Sequence, residues 1–224
     1  MIRIFQMIKI KDNYIILLIL LLACLFRLGS YNIVPLFSDT GLYARISAEI
    51  SKGDYWLTGP NASDKPPVFF YVQAAFFALF GVHASVAVLP SFLAGLIGVV
   101  FVYAIGKQVH SEVAGRWAAF MMAISPTAVE MSGVGLVDGL LETTILWSFW
   151  LLLKQHFFWG GVAIGLAFGV KQTTLAFGPL YLYWIIICAI YRDPDPIRSL
   201  WYALKNSVLG FTIVFFPVEY WSIF

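Results

Sequence analysis

The chain contains 224 residues, of which 61% are hydrophobic and only 12% are charged, and its mean hydropathy is +0.85. Soluble domains carry about 25% charged residues, so the composition excludes an ordinary soluble protein and indicates a membrane protein. The formal net charge of +2 is too small to indicate a nucleic-acid partner. Cys24 and Cys188 lie inside apolar runs without metal-ligand spacing, so neither a disulfide framework nor a metal site is predicted.

The apolar segments of the chain predict an all-α polytopic membrane protein. A basic N-terminal stretch precedes the first apolar segment, but no small-residue cleavage site follows cleanly, so we interpret this segment as a retained membrane helix. Stretches near the length of roughly 20 apolar residues that crosses a bilayer occur at 14–29, 84–105, 113–128, 136–153, 157–170, 173–191 and 202–218. The sequence therefore predicts about seven transmembrane helices.

The distribution of basic residues predicts that the N-terminus is cytoplasmic. With that orientation nine basic residues are cytoplasmic: Arg3, Lys9, Lys11, Lys107, Arg116, Lys154, Arg192, Arg198 and Lys205. Five are placed outside: Arg27, Arg45, Lys52, Lys65 and Lys171. Because positive charge concentrates on the cytoplasmic side of membrane proteins, we expect a multi-pass cell-membrane protein whose long first loop, 30–83, lies on the outer face.

The first outer loop contains a segment with the pattern of a short amphipathic helix. This segment begins at Ser38 or Asp39 and ends at Gly53, a residue type that commonly terminates helices. Apolar residues recur at four-residue spacing, with Tyr43 beside them: Leu42, Ile46 and Ile50. This pattern predicts a helix that lies along the membrane surface.

A second helix of the loop is predicted to start at Pro66 and Pro67 and to continue through an aromatic run. Prolines are tolerated in a first helical turn because the N–H groups of that turn are unpaired anyway. The residue before a proline is restricted to extended backbone. We therefore expect the prolines to hold Lys65 rigidly at the membrane edge, outside the helix.

The order of these features resembles the GT-C glycosyltransferases, and more narrowly the protein O-mannosyltransferase and aminoarabinose-transferase superfamily with its RgtA/B/C/D-like bacterial members. The features are the loop aspartate Asp39, "GDYW" at 53–56, "KPPVFFY" at 65–71, "LFG" at 79–81, "GR" at 115–116 and "VDGLL" at 137–141. The resemblance implies that 1–224 forms one GT-C-like transmembrane domain with two membrane-surface helices in the outer loop. It also implies inverting transfer of a hexose or pentose from a polyprenyl-phosphate carrier to an acceptor on the outer face.

The resemblance assigns roles to six residues. Asp39 would be the catalytic residue that accepts or orients the acceptor's proton, and Lys65 would balance charge on the leaving phosphate. Further substrate-binding roles fall on residues of the outer side: Tyr43, Arg45, Asp138 and Lys171. No cofactor is expected; a divalent metal is left open, because Thr40 stands where relatives often have a second acidic residue. The partners are the lipid-linked sugar and membrane lipids.

Structural alternatives stand beside these roles. Asp39 has the pattern of a helix N-cap, Lys65 that of a lysine that binds lipid headgroups, and Lys171 that of an interfacial anchor. Asp138 also fits a capping role. Glu142 lies one turn after Asp138 and is interpreted as a packing residue or as part of the substrate lining. Arg45 is interpreted as the partner of Glu49 on the helix surface.

Two alternatives concern the whole chain. A polytopic transporter or a non-catalytic membrane subunit would have the same composition, although the ionisable residues gather at outer helix ends instead of mid-membrane. The resemblance also implies that the chain is the N-terminal half of a longer architecture, as a fragment, a truncated product or one half of a split enzyme. We then expect little activity without a second chain that supplies further helices.

Overall fold

The structure is a computed structural model that describes residues 2–31, 38–56, 65–190 and 195–222, with side chains described for 14–31, 39–56, 65–189 and 195–218. Within these ranges the chain is helical and contains no β-strand. The helices are α1 Ile2–Tyr31, α2 Ser38–Ser51, α3 Val68–Phe80, α4 Ala84–Val109, α5 Glu112–Ile124, α6 Pro126–Gly133, α7 Val137–Leu153, α8 Phe157–Val170, the 3₁₀ helix η1 Gln172–Phe177, α9 Gly178–Ile190 and α10 Pro196–Ser222. The all-α fold predicted from the sequence is therefore confirmed.

Four stretches of the described chain are long and apolar enough to cross a membrane: Tyr14–Tyr31, Ala84–Val109, Gln172–Ala189 and Pro196–Val218. A fifth span is added if α6 and α7 are counted together, although they meet at an angle of 116°. The predicted spans at 113–128 and 157–170 fall on α5 and α8, which have 13 and 14 residues. The protein is an integral membrane protein, and the number of seven crossings stays a prediction.

The break between α5 and α6 has a local cause in the sequence. Pro126 forces the preceding residue toward extended backbone, and Ser125 accordingly has φ −60° and ψ 119°. Ser125 ends α5 and caps α6, because its hydroxyl accepts a hydrogen bond from the backbone N–H of Ala128. The predicted span at 113–128 is thus interrupted four residues before its end.

Glycines allow α8 and α10 to pack closely on each other. A Cβ atom on Gly161 would lie 2.0 Å from the carbonyl oxygen of Ser207, and one on Gly210 would lie 2.0 Å from the carbonyl oxygen of Phe158. Membrane helices lack a hydrophobic driving force for association and commonly pack through such small residues. Gly161 and Gly165 have the small-xxx-small spacing of this motif, and α10 lies directly on it.

The helices of the first loop pack on each other and on the bundle. α2 ends at Ser51, two residues before the predicted Gly53, and α3 begins at Val68, with Pro67 as its N-cap instead of its first turn. Tyr43 and Ile46 are buried against α3, whereas Leu42 is 39% exposed. The apolar face of α2 therefore contacts protein, and its placement on the membrane surface stays a prediction. Residues 32–37 and 57–64 of the predicted loop lie outside the described residues.

Candidate functional site

Asp138 and Lys171 form an ion pair between two helix ends. The Lys171 ammonium donates a hydrogen bond of 2.7 Å to Oδ1 of Asp138, and the side chains are 26% and 32% exposed. Asp138 lies in the first turn of α7, where the helix dipole favours a negative charge, and Lys171 follows α8 directly. The sequence placed both residues on the outer side but did not pair them.

Backbone geometry explains how Lys171 reaches Asp138. Lys171 has φ −159° and ψ 126°, so the chain is extended for one residue between α8 and η1. Its carbonyl oxygen accepts hydrogen bonds from both the backbone N–H and the hydroxyl of Thr174. These bonds stabilise the break and leave the lysine side chain free to cross to α7.

The turn before Asp138 is fixed by α4. Gly135 has φ +79°, a conformation that glycine adopts without strain, and a Cβ there would lie 3.2 Å from Cα of Val88. The Ser91 hydroxyl donates a 2.6 Å hydrogen bond to the carbonyl oxygen of Leu136. The start of α7, and with it Asp138, is therefore held against α4.

A buried apolar cluster brings the ends of α2, α3, α7 and α8 together. Its members include Tyr43, Phe69, Val137 and Val170, each at most 4% exposed. Val137 precedes Asp138 and Val170 precedes Lys171 in the chain, so the ion pair lies at the edge of this cluster. The sequence-predicted residues of the loop helices thus belong to the same end of the molecule as Asp138 and Lys171.

Asp39 and Lys65 stand at the starts of the two loop helices. Asp39 is exposed in the first turn of α2, and Lys65 is half-buried in a bend before the buried Pro66 and Pro67. The α2 residue Tyr43, one turn after Asp39, packs on Phe69 and Phe70 in the first turn of α3, with ring centroids 6.1 and 5.6 Å apart.

The start of α3 also touches the end of α8. A Cβ on Gly169 would lie 2.5 Å from Cγ2 of Val68. Val68 is three residues after Lys65, and Gly169 is two residues before Lys171. The two lysines therefore belong to neighbouring segments.

Tyr43 and Arg45 occupy different surroundings. The ring of Tyr43 is 4% exposed and packs in the core between α2 and α3. Arg45 is 66% exposed and lies 3.8 Å from the carboxylate of Glu49 one turn later, which confirms the predicted surface pair. The substrate-binding roles of Tyr43 and Arg45, like those of the other predicted residues, stay predictions.

A pocket of about 580 Å³ opens between α6 and α7 beside the ion pair. We call it the α6–α7 pocket; its polar wall consists of Ser125, Thr127, Asp138 and Glu142. The remaining wall is apolar and includes Leu141, Ile145, Phe149 and Phe177. Its volume lies within the roughly 300–1,000 Å³ of small-molecule sites.

Arg27 is a buried cation that the sequence placed among the outer basic residues without a functional role. It is 0% exposed in the apolar span of α1, and its Nε donates a 2.9 Å hydrogen bond to the Ser132 hydroxyl on α6. Nη1 donates to the carbonyl oxygen of Ala23 at 3.2 Å, and within the described chain Nη2 has no hydrogen-bond partner. The signal was present in the sequence, since an arginine inside a membrane span indicates a specific partner.

An apolar groove lies between α8, η1, α9 and α10. It has a volume of about 260 Å³, and the residues that form it include Ile164, Phe168, Thr174, Leu175, Leu182 and Phe211. Phe168 and Thr174 flank Lys171 in sequence, each three residues away. The groove therefore begins near the cation.

The described part of the chain contains no group of three or more His, Cys, Asp or Glu side chains that could hold a metal ion. Metal dependence stays untested. The described residues thus include the Asp138–Lys171 ion pair, an exposed carboxylate at the start of α2 and a half-buried lysine before α3. Asp138 lines a pocket with polar groups, and an apolar groove begins three residues from Lys171 in the chain.

The family model described as dolichyl-phosphate-mannose-protein mannosyltransferase matches residues 64–221. Among curated proteins, YkcB and YycA of Bacillus subtilis, both named as candidate mannosyltransferases, are 33% and 34% identical over 156 and 132 residues. These matches cover 65% and 55% of this chain but only 21% and 19% of the relatives. GPI mannosyltransferase 1 of Aspergillus fumigatus is 28% identical over 158 residues, which is 70% of this chain and 33% of that protein.

Solved structures with the same fold include ArnT from Cupriavidus metallidurans. Its apo form matches with a TM-score of 0.74 and its undecaprenyl-phosphate-bound form with a TM-score of 0.75, both at 20% sequence identity. Each match covers 92% of this chain and 41% of ArnT. The GT-C fold implied by the sequence resemblance is confirmed, and the chain spans less than half the length of the relatives that it matches.

Proposed function

Because the chain belongs to the dolichyl-phosphate-mannose-protein mannosyltransferase family, we propose that it acts in a membrane glycosyltransferase that moves a sugar from a polyprenyl-phosphate carrier to an acceptor on the outer face of the membrane. The observation that supports this proposal is that one buried cluster joins α2 and α3, which begin near Asp39 and Lys65, to the ends of α7 and α8, which carry the Asp138–Lys171 pair. An apolar groove begins three residues from Lys171 in the chain. A lipid-linked sugar needs this combination of a charged site and an apolar surface.

The chemistry needs a base, a cation and an inverting displacement. Asp39 accepts the proton of the acceptor's hydroxyl or amine. The freed electron pair attacks the anomeric carbon, a new bond forms to the acceptor atom, and the bond from carbon to the phosphate oxygen breaks. The electron pair of that bond leaves with the polyprenyl phosphate. Lys65 stabilises the phosphate charge that develops as the bond breaks.

The Asp138–Lys171 pair supplies a second charged element. Lys171 is already held by Asp138 at 2.7 Å, so it presents a cation whose position is set before the substrate binds. Preorganised charges stabilise a transition state without reorganisation at the moment of reaction. Arg45 is 66% exposed and paired with Glu49. We therefore assign it as an outer cation for the lipid headgroup region.

The apolar groove between α8, η1 and α10 is a surface for the isoprenoid tail. Apart from Thr174 and Ser207, the side chains that form it are apolar or aromatic, and it begins near Lys171. ArnT has the same fold and has been solved with undecaprenyl phosphate bound, which supports a polyprenyl-phosphate ligand for this fold. We place the phosphate near the lysines and the first isoprene units in the groove.

Substitutions in native membranes test the proposal, because such membranes retain any second chain that the enzyme needs. Asp39→Asn preserves the size of the side chain but removes the basic carboxylate, and we expect sugar transfer from a labelled polyprenyl-phosphate hexose to fall by on the order of 10²–10⁴-fold. Lys65→Ala weakens donor use, whereas Lys65→Arg retains part of it because the charge is kept.

Glu130→Gln is the matched control, since Glu130 is exposed on α6 and does not line the α6–α7 pocket. Transfer by Asp39→Asn within about threefold of the parent, at equal abundance in the membrane, contradicts the catalytic role of Asp39 and leaves it as a capping residue.

A further inference from the structure

Glu142 is a second carboxylate of the α6–α7 pocket, and the chemistry above does not use it. It lies one helical turn after Asp138 on α7, on the same face of the helix, and it is partly buried. Within the described chain its carboxylate accepts no hydrogen bond, whereas Asp138 is bonded to Lys171. Because Glu142 lines the pocket, its acceptor oxygens are available to a ligand that enters it.

Arg27 balances the charge of Glu142 from outside the pocket. The two residues interact electrostatically, although Arg27 belongs to α1 and does not line the pocket. Its guanidinium is completely buried and is anchored to α6 through Ser132. The packing is close there, since a Cβ on Gly95 of α4 would lie 2.5 Å from Cβ of Ser132 and 2.9 Å from Nε of Arg27. The cation is thus fixed in place without a ligand.

The balance of charge determines which ligand fits. Lys171 is paired with Asp138 and Arg27 interacts electrostatically with Glu142, so each carboxylate of the pocket has a basic partner residue. Its polar wall offers carboxylate and hydroxyl oxygens, and the opposite wall is formed by aliphatic and aromatic side chains such as Leu141, Ile145 and Phe149. A neutral ring with several hydroxyl donors and an apolar face matches both walls, as a sugar does.

We propose that Glu142 is a sugar-binding residue whose carboxylate accepts hydrogen bonds from ring hydroxyls, and that Arg27 is a positioning residue that holds this side chain in place. The proposal rests on the glycosyltransferase function proposed above and adds a specificity determinant to it. The ring belongs either to the carrier-linked donor or to an acceptor glycan, since both offer the same hydroxyl chemistry.

Photolabelling in native membranes tests this assignment without requiring turnover. A diazirine-bearing polyprenyl phosphate labels the chain, and unlabelled polyprenyl phosphate or polyprenyl-phosphate mannose competes with it. The ratio of the two competitor concentrations at half-displacement reports how much the sugar adds to binding. Because hydrogen bonds to a charged group are stronger than neutral ones, we expect Glu142→Gln to lower this ratio by on the order of tenfold while the sugar-free carrier binds as in the parent.

A second arm identifies the source of the ring. Octyl mannoside, with a non-sugar octyl ether as its matched control, is added to the parent and to Glu142→Gln with sugar-free carrier bound, and its binding is followed by the change in intrinsic tryptophan fluorescence. Loss of the sugar's contribution in the carrier arm assigns Glu142 to the donor sugar. Loss in the octyl mannoside arm assigns it to a sugar without phosphate, as in an acceptor.

The variants around Arg27 separate positioning from folding. Arg27→Lys keeps the charge and should keep most of the sugar contribution, whereas Arg27→Met should lose it to the same degree as Glu142→Gln. The double variant Arg27→Met/Glu142→Gln removes both charges and should be no worse than either single variant. Glu130→Gln is expected to behave as the parent.

Glu142→Gln with the parent's sugar contribution in both arms overturns the assignment of Glu142. A parent that binds the sugar-bearing and the sugar-free probes equally in both arms contradicts the proposed function itself, and the assignment falls with it. These two results are different, because the first requires a parent that discriminates and the second a parent that does not.

Discussion

Removal of the Asp138–Lys171 ion pair should destabilise the bundle by an amount that the geometry sets. The pair is a charge-assisted hydrogen bond of 2.7 Å, and such bonds contribute about 1.5–3 kcal/mol. Because the side chains are still 26% and 32% exposed, we take the lower part of that range and expect a coupling free energy of about 1.5–2 kcal/mol. For a chain of this length each kcal/mol shifts the Tm by roughly 2–4 °C.

A double-mutant cycle isolates this coupling. The variants are Asp138→Ala, Lys171→Met and the double variant, and the free energy of unfolding is measured by dodecyl sulfate titration in mixed micelles. Asp138→Ala also removes a negative charge from the first turn of α7, which contributes about 0.3–1 kcal/mol. This contribution is present in both the single and the double variant and cancels in the cycle. A coupling below about 0.5 kcal/mol refutes the view that the pair fixes Lys171 before the substrate binds.

Three further predictions concern packing, topology and metal dependence. Gly161→Ala places a Cβ 2.0 Å from the carbonyl oxygen of Ser207, so we expect a loss of about 1–3 kcal/mol in the free energy of unfolding. Gly29→Ala is the control, because a Cβ there meets no atom within 4 Å. Equal stability of the two variants contradicts the glycine contact. In a background without Cys24 and Cys188, Lys52→Cys should react in intact cells with an impermeant thiol reagent and Arg198→Cys should not, and the reverse pattern contradicts the outer placement of the site. Sugar transfer in native membranes should persist after treatment with a chelator, and its loss with recovery on addition of a divalent cation would show that a metal is required.

Local patterns in the sequence predicted the features that depend on neighbouring residues. The helix of the first loop was placed within two residues of α2, because its apolar spacing and its boundary residues are local signals. Arg45 and Glu49 were paired correctly, since residues four apart meet on any helix. Composition alone identified a membrane protein, because helices that face lipid must carry apolar side chains.

Features that depend on distant contacts were not visible. Asp138 and Lys171 are 33 residues apart, and their pairing depends on the extended break after α8, which no propensity predicts. The burial of Arg27 depends on Ser132, 105 residues away. Apolar runs also predicted the span at 113–128 without interruption, because the hydrophobic pattern continues across the break that Pro126 imposes. The side chains that complete the site come together only through packing.

The central claim is that the enzyme uses a polyprenyl-phosphate donor at the outer face of the membrane. Sealed membrane vesicles of known orientation test it most directly. Sealed right-side-out and inside-out vesicles from the producing cells are given a short-chain, water-dispersible polyprenyl-phosphate mannose labelled in the sugar, or the same sugar on a nucleotide. We predict transfer of label in right-side-out vesicles with the polyprenyl donor, a large reduction with Asp39→Asn, and no transfer from the nucleotide donor. Transfer from the nucleotide sugar that does not pass through a polyprenyl intermediate, or transfer confined to inside-out vesicles, would contradict the account.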